Sequence, residues 1–132
     1  MKRILIIDDE QDITELVEMQ LESHGGFKCR QENDASRAIE TAKEFQPDLI
    51  LLDIMMPNMD GSELAGKFLV HRDLADIPII FLTALVTSQE IHSGSFVRGT
   101  RIYLPKPIDA DVLLDCINKT LQSSNRSITI AS

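Results

Sequence analysis

Pro47-Asp48-Leu49-Ile50-Leu51-Leu52-Asp53 is the stretch that decides the fold. Four successive large apolar residues with no polar alternate are what a strand covered on both faces requires. The run stops on a carboxylate, so Asp53 stands at the carboxyl end of a central strand. Two other stretches read the same way: Ile4-Leu5-Ile6-Ile7 runs into Asp8-Asp9, and Pro78 to Leu82 runs into Thr83. Phe27 to Gln31 is shorter and more polar, as an edge strand would be. Ile102-Tyr103-Leu104 is the last such run and leads into Pro105-Lys106-Pro107.

Helical spacings fill the intervals. Ile13, Leu16, Val17 and Leu21 lie on one stripe, opened by Asp12-x-x-Glu15 in the form of a capping box and closed by Gly25-Gly26. Ala35, Ala38, Ile39 and Ala42 make a small-residue face, and Leu64, Ala65, Phe68 and Leu69 make a third stripe. From Thr87 to Arg98 the pattern weakens, because Ser93-Gly94-Ser95 interrupts any helix there. Asp109 is a suitable N-cap for a last helix carrying Leu113, Cys116, Ile117 and Leu121. Residues 1–122 therefore read as one domain, and 123–132 as a polar tail without a periodic face. Strands alternating with helices define an α/β domain with a parallel sheet.

Composition narrows the function. The 132 residues carry 13 Lys and Arg against 21 Asp and Glu, a net charge of −8. That is the wrong sign for a domain that neutralises nucleic-acid phosphates directly. No apolar run approaches the roughly 20 residues that span a bilayer, and Ile4 to Ile7 is too short for a secretory signal. The 2 cysteines, Cys29 and Cys116, lack C-x-x-C spacing and suit a reducing cytoplasm as small packed side chains. His24, His71 and His92 have no metal-ligand spacing and read as surface or helix-end residues; Met55, Met56 and Met59 read as packing residues.

In a parallel α/β sheet, ligands bind beyond the carboxyl ends of the strands. Asp8, Asp9, Asp53 and Thr83 would all gather at that edge. Three close carboxylates repel one another and are most easily kept around a hard cation, and Mg²⁺ takes a few carboxylate oxygens while leaving other positions to water or phosphate. Lys106, flanked by two prolines, has less backbone freedom than most lysines. Taken singly, each residue has an ordinary structural role: helix-end acids, a packed strand threonine, a solvated lysine. Together, carboxylates, Mg²⁺, a hydroxyl and an ammonium can stabilise charge on a transferring phosphoryl group.

The segments I-I-D-D-E (6–10), L-L-D-I-M-M-P-N-M-D-G (51–61), F-L-T-A (81–84) and Y-L-P-K-P (103–107) resemble a response-regulator receiver domain over about residues 3–122. The resemblance implies a flavodoxin-like (βα)5 three-layer sandwich whose five-stranded parallel sheet has the order 2-1-3-4-5. It implies that Asp53 accepts a phosphoryl group from the phosphohistidine of a sensor histidine kinase or histidine phosphotransfer protein. Mg²⁺ would be held by Asp9, by Asp8 through water, by Asp53 and by the Met55 carbonyl. Thr83 and Lys106 would contact the phosphoryl oxygens, and the Lys106-Pro107 bond would be cis. Tyr103 matches an aromatic switch position that follows Thr83.

The face that switches would be the fourth helix, fifth strand and fifth helix, about residues 87–122, docking a downstream protein target, with the protein either a monomer or a phosphorylation-linked dimer. Such a protein is a cytoplasmic signalling module that catalyses only its own phosphorylation and dephosphorylation. Apolar Met55 and Leu85 would flank the path of the hydrolytic water and lengthen the phosphoryl state. The starting Met and short tail lead to the expectation of a stand-alone, chemotaxis-regulator-like receiver. The departures, Ser93-Gly94-Ser95 and Gly99-Thr100 before the last strand, fall on the output face. A haloacid-dehalogenase-type enzyme uses similar groups but needs D-x-D after the first strand, where this chain has Asp8-Asp9-Glu10. A pseudo-receiver would lack part of the set Asp8, Asp9, Asp53, Thr83 and Lys106.

Overall fold

In the computed structural model, the described residues are 1–57, 59–84, 96–98 and 101–131. In chain order they form β1 (Lys2–Ile7), α1 (Gln11–His24), β2 (Phe27–Glu32), a 3-10 turn (Ala35–Arg37), α2 (Ala38–Phe45), β3 (Leu49–Asp53) and α3 (Gly61–Leu69). There follow β4 (Ile79–Thr83), β5 (Phe96–Arg98), β6 (Arg101–Pro105) and a C-terminal helix, α4 (Ala110–Ala131). The sheet order is β2-β1-β3-β4-β6-β5. Its first five members are parallel, which is the expected 2-1-3-4-5 arrangement.

The sixth strand is an addition. β5 runs antiparallel to β6 on the sheet edge, with Phe96 opposite Tyr103 and Arg98 opposite Arg101. The weak periodicity of 87–98 predicts only a broken helix. Phe96-Val97 are strand formers, and a two-residue interval to Arg101 is a hairpin length. Residues 85–95, where a fourth helix was anticipated, lie outside the described residues, as do Leu85 and His92.

Side-chain alternation on the buried strands produces the three layers. Ile4, Ile6, Leu49, Leu51, Ile80, Leu82 and Leu104 face Val17 and Leu21 of α1 and Leu113, Cys116 and Ile117 of α4. The intervening Leu5, Ile7, Ile50, Leu52 and Phe81 face Ala38, Ala42 and Phe45 of α2 and Leu64, Ala65 and Phe68 of α3. Each fully buried Leu or Ile contributes about 1.5–3 kcal/mol by leaving water. The strands carrying the acidic residues are thus firmly held by burial on both faces.

Three local expectations are corrected. Helix α1 starts at Gln11, with Glu10 at the N-cap and no side-chain cap, instead of at an Asp12 capping box. The Glu10 amide instead donates to Asp8 Oδ1 at 3.0 Å, so the carboxylate at the helix entry comes from the strand end. The backbone of α4 stays helical to Ala131, through residues 123–131 that read as a tail without a periodic face. Met56 and Met59 pack against the core, but Met55 is 59% exposed. Elsewhere the reading holds: Gly25 and Gly26, at φ +92 and +87, close α1, and Asp109 Oδ1 accepts the amides of Asp111 and Val112 at 2.9 and 3.1 Å.

Candidate functional site

The register brings four strand ends to one edge. Ile7 lies opposite Leu52, Asp53 opposite Leu82, and Thr83 opposite Pro105. Asp8 and Asp9 therefore follow β1 directly beside Asp53, the last residue of β3, while Thr83 ends β4 and Lys106 follows β6. Asp8, Asp53 and Thr83 are buried, at 0, 3 and 4% exposure, whereas Asp9 is exposed. One oxygen from each of Asp8, Asp9 and Asp53 lies within 4.8 Å of the others.

Lys106 Nζ reaches into this cluster, 2.8 Å from Asp8 Oδ2 and 3.4 Å from Asp53 Oδ1. Its backbone amide donates to the Thr83 carbonyl at 2.8 Å, and the Lys106-Pro107 bond is cis. Burial works to lower the Lys106 pKa, but the Asp8 contact and the two carboxylate charges outweigh it and raise the value overall. Burial pushes the Asp53 carboxyl up to about 6, with the Asp8 charge adding to the rise. The Met55 amide, donating to Asp53 Oδ1 at 3.2 Å, and the Lys106 ammonium oppose it. One ammonium is thus shared between carboxylates that remain under-compensated.

This donor set fits a hard divalent cation. It is made of carboxylate oxygens, and the buried Asp8 Oδ2 has no protein partner but Lys106 among the described residues. The site thus gathers Asp8, Asp9, Asp53, Thr83 and Lys106, with the Met55 backbone beside Asp53. Tyr103 sits apart from the acids, three residues before Lys106, its ring 5.4 Å from that of Phe81 and inclined by 29°. His24 and His71 take no part in the acidic cluster. Cys29 is half-buried, and burial together with the Glu22 and Glu18 charges pushes its thiol up to about 12.

Sequence reasoning missed two supports. Gly61 opens α3 against the Asp53 strand end: a Cβ there would collide with the Asp53 carbonyl oxygen and lie 2.6 Å from Ile54 Cα. A glycine at the first position of a helix, where it is a poor helix former, was the available signal. Asn33, just past β2, donates to the Asp8 carbonyl at 2.8 Å and to Thr14 Oγ1 at 3.0 Å. No local pattern marks that contact, because it joins residues 25 positions apart.

Residues 4–118 match the response regulator receiver domain family. The DNA-binding dual master transcriptional regulator RpaA of a Synechocystis species is 38% identical over 126 residues, covering 96% of this chain and 52% of that protein. Protein PilH of Pseudomonas aeruginosa is 32% identical over 92% of this chain and 98% of its own length. The chain spans about half the length of RpaA and of several other curated relatives it matches. Among solved structures, the chemotaxis protein CheY4 of Vibrio cholerae superposes with a TM-score of 0.75 at 26% identity, covering 90% of this chain and 98% of that one. A CheY-like receiver domain protein of Methanospirillum hungatei gives 0.78 at 25% identity, covering 96% and 98%.

The chain belongs to the response regulator receiver domain family. It is a signalling domain of two-component response regulators, a class that binds Mg²⁺ at an acidic pocket and interacts with histidine kinases or phosphotransfer proteins. No helix of the described residues is long and apolar enough to cross a membrane.

Proposed function

We propose that Asp53 is the phosphoacceptor of this receiver, taking its phosphoryl group from the phosphohistidine of a sensor kinase or phosphotransfer protein. The observation that carries this reading is a buried Asp53 at a strand end, flanked by Asp8, Asp9 and the Lys106 ammonium. An Asp53 carboxylate oxygen attacks phosphorus in line; the new P–O bond forms as the P–N bond breaks, and the imidazole leaves with the electron pair. Mg²⁺, when held by the Asp9 and Asp53 carboxylates and the Met55 carbonyl, with Asp8 acting through water, would supply positive charge against the phosphoryl oxygens.

Lys106 moves its attraction from carboxylate to phosphoryl oxygen without leaving the site, since its backbone is tied to Thr83. Thr83 donates its hydroxyl to another phosphoryl oxygen, and Tyr103, on the neighbouring strand, repositions with it. The chain is thereby a phosphorylation switch that catalyses only its own phosphorylation and dephosphorylation. Its domain is 1–122, in the cytoplasm, and its output runs through the face around β6 and α4, either to a downstream protein or between two copies.

Incubating the protein with Mg²⁺ and a small acyl phosphate tests this. Intact-mass measurement is expected to show one added phosphoryl group, absent with EDTA and absent in Asp53→Asn. An unchanged mass, or labelling that survives Asp53→Asn, overturns the assignment.

A further inference from the structure

We propose that Asn33, backed by Thr14 and Gln31, is a positioning residue for the cation-binding carboxylates; this rests on the reading of the acidic site as the Mg²⁺ site. Past Ile7 the β1 ladder ends: the Asp8 amide still donates to the Glu32 carbonyl at 3.2 Å, but the Asp8 carbonyl is satisfied by a side chain. Asn33 Nδ2 supplies that bond at 2.8 Å. A carbonyl only accepts, so the amide nitrogen of Asn33, not its oxygen, must face it.

The pinned carbonyl belongs to the planar peptide unit that also contains the Asp9 nitrogen. Asp9 is exposed, and its side chain has no hydrogen bond or ion pair among the described residues. Backbone placement is therefore what sets its carboxylate within 4.8 Å of Asp8 and Asp53. Asn33 is held in turn. Its second amide hydrogen goes to Thr14 Oγ1 at 3.0 Å, on a side chain that is fully buried in α1. The Thr14 hydroxyl donates to Gln31 Oε1 at 2.7 Å, with the Gln11 carbonyl 3.0 Å away as an alternative acceptor. The chain of bonds joins the end of β2 and the first turn of α1 to the peptide between the two acids. Groups that hydrogen-bond a metal's ligands change metal affinity by about 10–100-fold when removed, and Asn33 acts one step further back, through the Asp8–Asp9 peptide, which points to the low end of that range.

The test is Mg²⁺ titration of the unphosphorylated protein by calorimetry, for the wild type, Asn33→Ala, Thr14→Val and the double variant, beside urea melts in EDTA. Asn33→Ala is expected to weaken Mg²⁺ binding about tenfold. Thr14→Val, which keeps shape and loses the hydroxyl, should act in the same direction, and the double variant should be no weaker than Asn33→Ala alone because both break one chain of bonds. The Mg²⁺ concentration for half-maximal phosphorylation should rise in step, with the rate at saturating Mg²⁺ near that of the wild type. Mg²⁺ affinity within twofold of wild type in Asn33→Ala, or a loss of EDTA stability with unchanged affinity, overturns the proposal. So do additive effects in the double variant. A wild type that takes up no Mg²⁺ overturns the reading of the site itself, and this inference with it.

Discussion

Replacing Asp53 by Asn should make the metal-free protein more stable, although it removes the acceptor. The folded protein raises the Asp53 pKa from 3.8 to about 6, chiefly by burial. Asn has the shape of the neutral acid and keeps an oxygen for the Met55 amide. A rise of about two units corresponds to about 3 kcal/mol, at 1.36 kcal/mol per unit, as the most the charged carboxylate costs the fold. The sign follows from proton uptake. Between pH 4 and 6 the folded state binds more protons at this site than the unfolded state, so the wild type loses stability as pH rises through that window. Below pH 4 both states hold the proton and the cost vanishes; above pH 6 it is constant. Urea melts in EDTA should therefore show Asp53→Asn ahead by up to about 3 kcal/mol at pH 7, narrowing toward zero near pH 4. With no Trp and 1 Tyr in the chain, far-ultraviolet circular dichroism is the suitable signal. Added Mg²⁺ should close the gap from the other side, since a ligand at 100 times its Kd stabilises the wild type by about 2.7 kcal/mol. A variant no more stable than wild type at pH 7 in EDTA, or a gap that stays constant toward pH 4, refutes the reasoning.

The neighbouring residues lead to two more expectations. Lys106→Met leaves Asp8 and Asp53 without their ammonium; in EDTA at pH 7 it should cost about 3 kcal/mol in a urea melt, and Mg²⁺ should restore more stability to this variant than to the wild type. Gly61→Ala should cost about 2–3 kcal/mol and displace the Asp53 strand end, because its Cβ would meet backbone rather than a yielding side chain; the melt and the NMR shift of the Met55 amide both report it.

Much of this could be read along the chain. Leu49 to Leu52 and Ile4 to Ile7 had to be doubly covered strands, and both are fully buried. The acids at their ends had to share a sheet edge, and the register places them there. What periodicity could not convey were bonds and pairings made where no apolar repeat runs. The Glu10 amide bonds to Asp8 rather than starting a capping box at Asp12, and β5 pairs with β6 across an interval whose periodicity was too weak to interpret. Met55 was read as packing like its neighbours, but alternation in an irregular loop is not periodic, so nothing local separates the exposed Met55 from the packed Met56.

Layer architecture, strand order through the resemblance, and the convergence of Asp8, Asp9, Asp53, Thr83 and Lys106 on one sheet edge were legible along the chain, because apolar periodicity and residue chemistry are written locally. Tertiary structure alone decided how the single ammonium is divided between Asp8 at 2.8 Å and Asp53 at 3.4 Å, and how far burial raises the Asp53 carboxyl. It also decided that Gly61 packs against the end of β3 and that Asn33, 25 positions along the chain, bonds to the peptide that follows β1. Distances and desolvation are properties of the packed sheet edge. They arise only when four separate strand ends are brought within a few ångströms of each other.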